Sequence, residues 1–332
     1  TNGIYKRFGE FDQVTGKVEV VTTGLWSGDT GSLTSFFTSS AQVAQSSGDY
    51  YYNIYDTAAT SSVQFSVAYG HRLGSGSVSL ANNDSSTLAT KSTYAQYKQI
   101  LLDQDDTQFS FATGSGTAQN SDAIYVINLA RARYKEKMDA GNWSLKLSGS
   151  AGVTTLIDDS GKKFSDTVGK AGRVFDVVSG SLNLGSENEA TIVAKYSSGS
   201  LAQGQGFGKF YPDQGIIVLN PNAITASIGA SIDKDSARGA GIEYGVAAEE
   251  KTHFWLFNAI EGGADFEARR TENVSTSHYF VRATNREFNF SNNPTFVTGS
   301  DGTFSESTFE RDPKTFITTI GLYNDANEMI AV

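Results

Sequence analysis

The feature that most constrains this chain is a two-residue alternation of large apolar and small or polar side chains, repeated in short runs and closed each time by Gly, Ser, Asn or Asp. In Ser62-Val63-Gln64-Phe65-Ser66-Val67-Ala68-Tyr69, the side chains of Val63, Phe65, Val67 and Tyr69 share one face until Gly70 ends the run. Successive side chains of an extended strand point to opposite faces, so this pattern fits a half-buried strand and no helix. Trp143, Leu145 and Leu147 repeat it against Ser144, Lys146 and Ser148. With 21 Phe and 15 Tyr spread through similar runs, further strands are expected at 17–23, 50–55, 109–112, 173–178, 191–196, 215–219, 278–290 and 315–323. The expected fold class is mainly β with a few helices (α+β), built of short antiparallel strands.

Two segments read as helices. Over 94–102, Tyr94, Tyr97 and Leu101 follow three-four spacing, and Thr93 with Gln96 forms a T-x-x-Q capping box. Over 246–260, the apolar Phe254-Trp255-Leu256-Phe257 follows polar residues, and Gly262-Gly263 supplies a left-handed stop. Loops are expected at 73–86, 114–122, 199–208 and 291–303, none of them long enough to separate independent bodies. The expected organisation is an elongated body: a mixed β/α scaffold at 1–140, an inserted β-rich domain at 141–245, and a helix with strands at 246–332 that packs back on the scaffold.

Charge and composition exclude several function classes. The 36 acidic and 26 basic residues give a net charge of −10, which repels nucleic acid and anionic membrane. No apolar run approaches the roughly 20 residues that span a bilayer, so no membrane insertion is expected. Without cysteine there is no disulfide, thiolate nucleophile or thiolate-bound metal. Every Gly-Lys pair lacks the Ser or Thr of a phosphate-binding loop, and Gly204-Gln205-Gly206-Phe207-Gly208 reads as a flexible loop. His71, His253 and His278 are too far apart in sequence to form a ligand motif. The carboxylates of Asp103-Gln104-Asp105-Asp106, Asp158-Asp159 and Asp233-Lys234-Asp235 read first as turn residues. Glycoside hydrolysis or calcium binding would need the fold to gather them. No catalytic residue, cofactor or metal is assigned.

One feature opposes the acidic balance. Arg131, Arg133, Lys135 and Lys137 crowd seven residues with only Glu136 against them. As a strand they share one face; as a helix Arg131/Lys135 and Arg133/Lys137 stack. Such a stripe is either a solvated face or a docking element for an acidic neighbour.

Several stretches together resemble a family of virion structural proteins from contractile-tailed phages, the myovirus group that infects cyanobacteria and other marine bacteria. They are Thr22-Thr23-Gly24-Leu25-Trp26-Ser27-Gly28-Asp29, Val67-Ala68-Tyr69-Gly70-His71-Arg72, Ile124-Tyr125-Val126-Ile127-Asn128 running through Arg131–Glu136 to Gly141-Asn142-Trp143, Tyr211-Pro212-Asp213-Gln214-Gly215, His278-Tyr279-Phe280-Val281-Arg282, Phe290-Ser291-Asn292-Asn293-Pro294 and Thr319-Ile320-Gly321-Leu322-Tyr323-Asn324-Asp325. The resemblance implies a non-enzymatic subunit of the viral tail, a baseplate component, present in multiple copies and bound to other virion proteins. It would be found in the virion, and in the host cytoplasm before assembly. The family pattern continues with a basic segment where this sequence stops at Val332, and the sequence carries no initiator Met before Thr1, so both ends are left open. Open sheet edges, rigid aromatic contact area and the lack of oxidisable thiols suit such a role. Expected interface residues are Arg131, Arg133, Lys135 and Lys137, with Tyr323 and Asn324. The alternative is a carbohydrate-binding adhesin of the tail fibre or tip, with Tyr50-Tyr51-Tyr52 and Trp26 stacking on sugar rings.

Overall fold

The computed structural model describes residues 9, 11–38, 51–57, 61–74, 88–162, 167–183, 189–197, 204–229, 252–280, 294–298, 301–312 and 319–332. Contacts divide the chain into two compact units, residues 19–273, and residues 1–18 with 274–332.

The strands of the larger unit are β1 (Gln13–Val21), β2 (Ser32–Leu33), β3 (Tyr51–Tyr55), β4 (Val63–His71), β5 (Phe109–Phe111), β6 (Gln119–Ser121), β7 (Ala123–Leu129), β8 (Lys137–Gly149), β9 (Gly152–Asp158), β10 (Thr167–Gly169), β11 (Gly172–Asn183), β12 (Glu189–Ala194), β13 (Gly208–Tyr211), β14 (Ile216–Leu219) and β15 (Phe266–Tyr279). Its helices are α1 (Leu88–Leu101), α2 (Arg131–Tyr134), α3 (Pro221–Ile228) and α4 (Thr252–Gly263). β1 and β15 each carry residues of both units. Thirteen strands form one sheet in the order β1-β15-β8-β9-β11-β13-β14-β7-β4-β3, with β10 and β12 also on β11 and β2 on β15. The registers are antiparallel, as in β4 on β7 with Ser66 opposite Asn128 and Gly70 opposite Ile124. The fold is therefore β-rich with a few helices, as expected. Strands β9, β11, β13 and β14 of the interval read as an inserted domain are continuous with β7, β4 and β3 in this sheet, while the boundary near 245/246 lies outside the described residues.

Both faces of the sheet centre are buried, which is why β7 reads as an apolar run from Ala123 to Ile127. Tyr125, Ile127 and Leu129 face the main core with Trp143, Phe210 and Phe266 and with the Trp255, Leu256 and Ile260 side of α4. Trp26 sits at its middle, its ring 4.8 Å from Phe266 and its Nε1 donating to the Phe266 carbonyl at 2.7 Å. Edge-to-face ring pairs of this kind add about 0.5–1.5 kcal/mol each beyond the area they bury. Ile124 and Val126 face the other way, into a second core with Ile216, Val218 and the Tyr94, Tyr97 and Leu101 stripe of α1. Gly70 makes this layer possible, because a Cβ there would lie 2.9 Å from the Tyr94 nitrogen.

Helix boundaries differ from the sequence reading in instructive ways. α1 starts before the expected cap, so Thr93 is an interior residue whose hydroxyl donates to the Ala89 carbonyl at 3.1 Å. This i−4 back-bond replaces the capping role. At the end of α4 the left-handed residue is Ala264, with φ 52°, and its N–H donates to Ile260 at 3.0 Å. Gly263 serves close packing instead, since a Cβ there would overlap the Lys146 carbonyl of β8. α3 was missed, although Asn220-Pro221 signals it: Asn220 Oδ1 accepts from Asn222 N at 3.2 Å and Pro221 occupies the first turn, where its missing N–H costs nothing.

The Gly204–Gly208 run is no flexible loop. Gln205 and Phe207 are buried, Gln205 bridges to Thr113 and Gly206 to Tyr196, and Gly208 opens β13.

In the smaller unit, β16 (Val297–Thr298) pairs with β17 (Thr303–Phe304), and β18 (Leu322–Tyr323) with β19 (Met329–Ala331). Phe296 anchors the first pair, 5.3 Å from Phe304 and 5.4 Å from Phe309. The strand expected at 278–290 extends only to Tyr279 within the described residues, and Tyr50, 246–251 and the Asp233-Lys234-Asp235 cluster lie outside them.

Candidate functional site

Two places carry the residue types that sequence reading singled out, and a third lies outside them. The first is the basic corner after β7. The chain takes one helical turn, α2, then reverses at Lys135 with φ 53° and enters β8, so the four cations share neither a strand face nor a helix face. Arg131 lies 4.8 Å over the Tyr134 ring and donates to its hydroxyl at 3.2 Å. Arg133 donates to Ser27 Oγ at 3.1 Å, which also accepts from Gln64 Nε2 at 2.7 Å. Lys135 pairs with Glu272 at 3.0 Å and Lys137 with Glu19. Behind them the buried Arg270 donates to Gly24 O at 3.1 Å, Asp29 at 3.1 Å and Glu272 at 2.7 Å. Hydrogen bonds from Arg270 and then Lys135 hold the Glu272 carboxyl below its ordinary pKa. The expected stripe is thus divided among partners in the same chain. Sequence could not reveal this, because Glu19, Ser27 and Glu272 arrive from distant segments. Tyr323 and Asn324 belong to the smaller unit, where Asn324 Oδ1 accepts from Ala326 N at 3.0 Å and Glu328 N at 2.8 Å and so holds the β18–β19 turn.

The second place gathers carboxylates. Asp158 is buried and accepts from Gly141 N at 2.8 Å and Ser160 N at 2.9 Å. Burial pushes its pKa up, against those hydrogen bonds. Asp159 accepts from Asp176 N at 2.9 Å, and Asp176 accepts from Lys209 Nζ at 2.6 Å. Asp159 and Asp176 line a cleft of about 140 Å³ beside Lys195 and Tyr196. Asp103 forms the expected turn, its carbonyl accepting from Asp106 N at 3.1 Å. Among the described residues no three His, Asp or Glu side chains group as metal ligands. The histidines stay apart: His71 Nδ1 accepts from Leu73 N at 3.2 Å, and His253 packs 4.4 Å from Tyr52 with its pKa pushed by burial to about 4.

The third place, which sequence reading missed, is a groove of about 490 Å³ between α1 and the β3–β4–β7 end of the sheet. Its floor is one sheet face, where Ser66 stands opposite Asn53 on one side and Asn128 on the other, and Tyr51 is opposite Ala68. Its wall is the α1 stripe Ala89, Ser92, Thr93 and Gln96, beside the stripe that fills the second core. Tyr97 closes the bottom, its hydroxyl bonded to Asn128 and its pKa pushed up by burial. Among the described residues none that lines it carries a charge. Of the aromatics expected to stack on sugars, Trp26 and Tyr52 are buried in the main core, which removes them from that role, while Tyr51 is 51% exposed at the groove.

No family model matches the chain, and neither curated proteins nor solved structures give a match. Among the described residues no helix is long and apolar enough to cross a membrane.

Proposed function

We propose that this chain is a non-enzymatic structural subunit of a phage tail, in the baseplate region, that assembles in multiple copies with other virion proteins through extensive interfaces. The observation that carries the reading is the amount of apolar strand surface left open. All nine residues of β1 are exposed, Val14, Val18, Val20 and Val21 among them. Val168 on β10 and Val193 on β12 are about three-quarters exposed. In the smaller unit Ile320, Tyr323, Met329 and Ile330 are exposed as well. β1 ends the sheet path with all of its residues exposed, so it offers an edge able to accept a neighbouring strand. Exposed apolar strands of this kind invite association, and an assembly subunit turns that tendency into its interface. The resemblance read from short stretches spread between Thr22 and Asp325 points the same way. Interfaces with two stable arrangements would let the subunit shift when the tail contracts.

Electron microscopy of tailed particles carrying a tag on this subunit tests the proposal. Density for the tag at the baseplate is the expected result. Particles that assemble normally and infect without the subunit would remove it. Lys135, whose side chain is 55% exposed, is the position for a docking test by charge reversal, because Arg133 contacts Ser27 in the same chain.

A further inference from the structure

The groove beside α1 has a chemistry that the assembly reading does not use. Across the sheet face under α1, the end carrying Ile124, Val126 and Gly70 is closed by the helix, whereas the end carrying Tyr51, Ser66 and Asn128 is polar and opens into the groove. A sheet face that only needed covering would continue in apolar residues. Here small and polar residues on three adjacent strands line a space whose 490 Å³ falls within the roughly 300–1,000 Å³ of small-molecule sites.

The lining selects the ligand class by elimination and then by fit. Among the described lining residues there is no Lys, Arg or His to pair with a phosphate or carboxylate, and no Asp or Glu to hold a metal ion or amine. Its mixture of polar and apolar lining suits no lipid tail. What remains is a set of groups that both donate and accept: the hydroxyls of Ser66, Ser92 and Thr93 and the carboxamides of Gln96 and Asn128. The side chains of Ser92 and Gln96 have no hydrogen-bond partner among the described residues, so bonding to a ligand would not break an internal bond. The half-exposed Tyr51 adds a ring at the rim, the apolar surface on which a sugar's C–H face rests. We infer that this groove binds a neutral saccharide, with Gln96 and Ser92 on its hydroxyls and Tyr51 against its ring. The inference rests on the groove alone and stands whether or not the chain belongs to a tail.

Saturation-transfer NMR on the full chain tests it, using neutral oligosaccharides of glucose, galactose, mannose and N-acetylglucosamine, with heparin and a Ser/Thr-rich peptide as contrasts. The expected result is transfer to at least one neutral saccharide, weakened at least tenfold in affinity by Tyr51→Ala and by Gln96→Ala. Both positions are exposed, so the variants should keep the wild-type thermal transition, and Val153→Ala on the exposed side of β9 should bind like wild type. Transfer to none of the saccharides, a preference for heparin or the peptide, or saccharide binding indifferent to both groove variants would each overturn the inference.

Discussion

Gly263→Ala separates two opposed physical effects at one position. Helix propensity alone favours the substitution, because alanine exceeds glycine by about 1 kcal/mol in a helix interior and somewhat less near the end. Packing opposes it. The added Cβ would overlap the Lys146 carbonyl oxygen, stand 2.5 Å from the carbonyl carbon and 3.1 Å from the Leu147 nitrogen, all backbone atoms of β8. β8 is hydrogen-bonded to β9 and β15 on its two sides, so it cannot yield as a side chain would. Overpacking of this kind costs about 1–3 kcal/mol, and an obstacle of backbone places the cost at the upper end. Less the propensity gain, the expected net loss is about 2 kcal/mol, or roughly 4–8 °C in the transition of a unit this size. Trp26, Trp143 and Trp255 are buried in the core that α4 and β8 share, so their fluorescence during urea unfolding reads the perturbation directly. Gly262→Ala provides the graded comparison: its Cβ would meet the Ser148 Cβ at 3.3 Å, and an expected loss below about 1 kcal/mol follows from a neighbour that can shift. A Gly263→Ala protein more stable than wild type would show that α4 does not lie against β8 in this way.

Two further perturbations follow from the interior. His253 has its pKa pushed to about 4 by burial, whereas an unfolded chain titrates near 6.5, so between these values the unfolded state binds the extra proton. Stability therefore rises with pH across that window and is lost as pH falls through it, by about 3 kcal/mol in full; His253→Phe should flatten this part of the urea-midpoint profile, and an unchanged slope would contradict the burial. Arg270→Met removes the donor shared by Gly24 O, Asp29 and Glu272; because Asp29 regains water easily, the expected loss lies near the lower end for a broken buried pair, about 3 kcal/mol, and a denaturation midpoint that did not move would refute the network.

How much of this was legible in the sequence depends on how local the cause is. The alternation in Val63–Tyr69 and Trp143–Leu147 is a property of neighbouring residues, and both segments became strands with the expected buried faces. The three-four stripe of Tyr94, Tyr97 and Leu101 likewise placed α1, but its start was misread because a Thr hydroxyl can cap a helix or bond back within one, and only the preceding turn decides. The basic corner was legible as composition and illegible as geometry. Its fate depends on Lys135 taking positive φ and on partners more than 100 residues away, such as Ser27 and Glu272. The glycines of 204–208 failed for a related reason: glycine marks mobility and close approach with the same letter, and here a Cβ on Gly208 would stand 3.0 Å from the Leu219 Cα of the neighbouring strand.

The groove shows why a candidate site can escape a sequence reading that finds the fold. Ser66 and Asn128 sit at the polar positions of otherwise apolar strands, and each alone is what alternation leads one to expect on a solvated face. Their meaning comes from register, which sets them side by side, and from α1, which walls one side of the space without filling it. A chain whose every local signal agreed with burial would have continued the Ile124 and Val126 layer to the sheet edge. Consistency between local pattern and global packing is the ordinary condition of a fold, and functional sites are where it is relaxed. By that criterion the open polar end of β3–β4–β7 stands apart from the basic corner and the carboxylate cleft. In those two places the described charged groups are largely bonded within the chain and hold the fold together, whereas in the groove the side chains of Ser92 and Gln96 have no partner among the described residues.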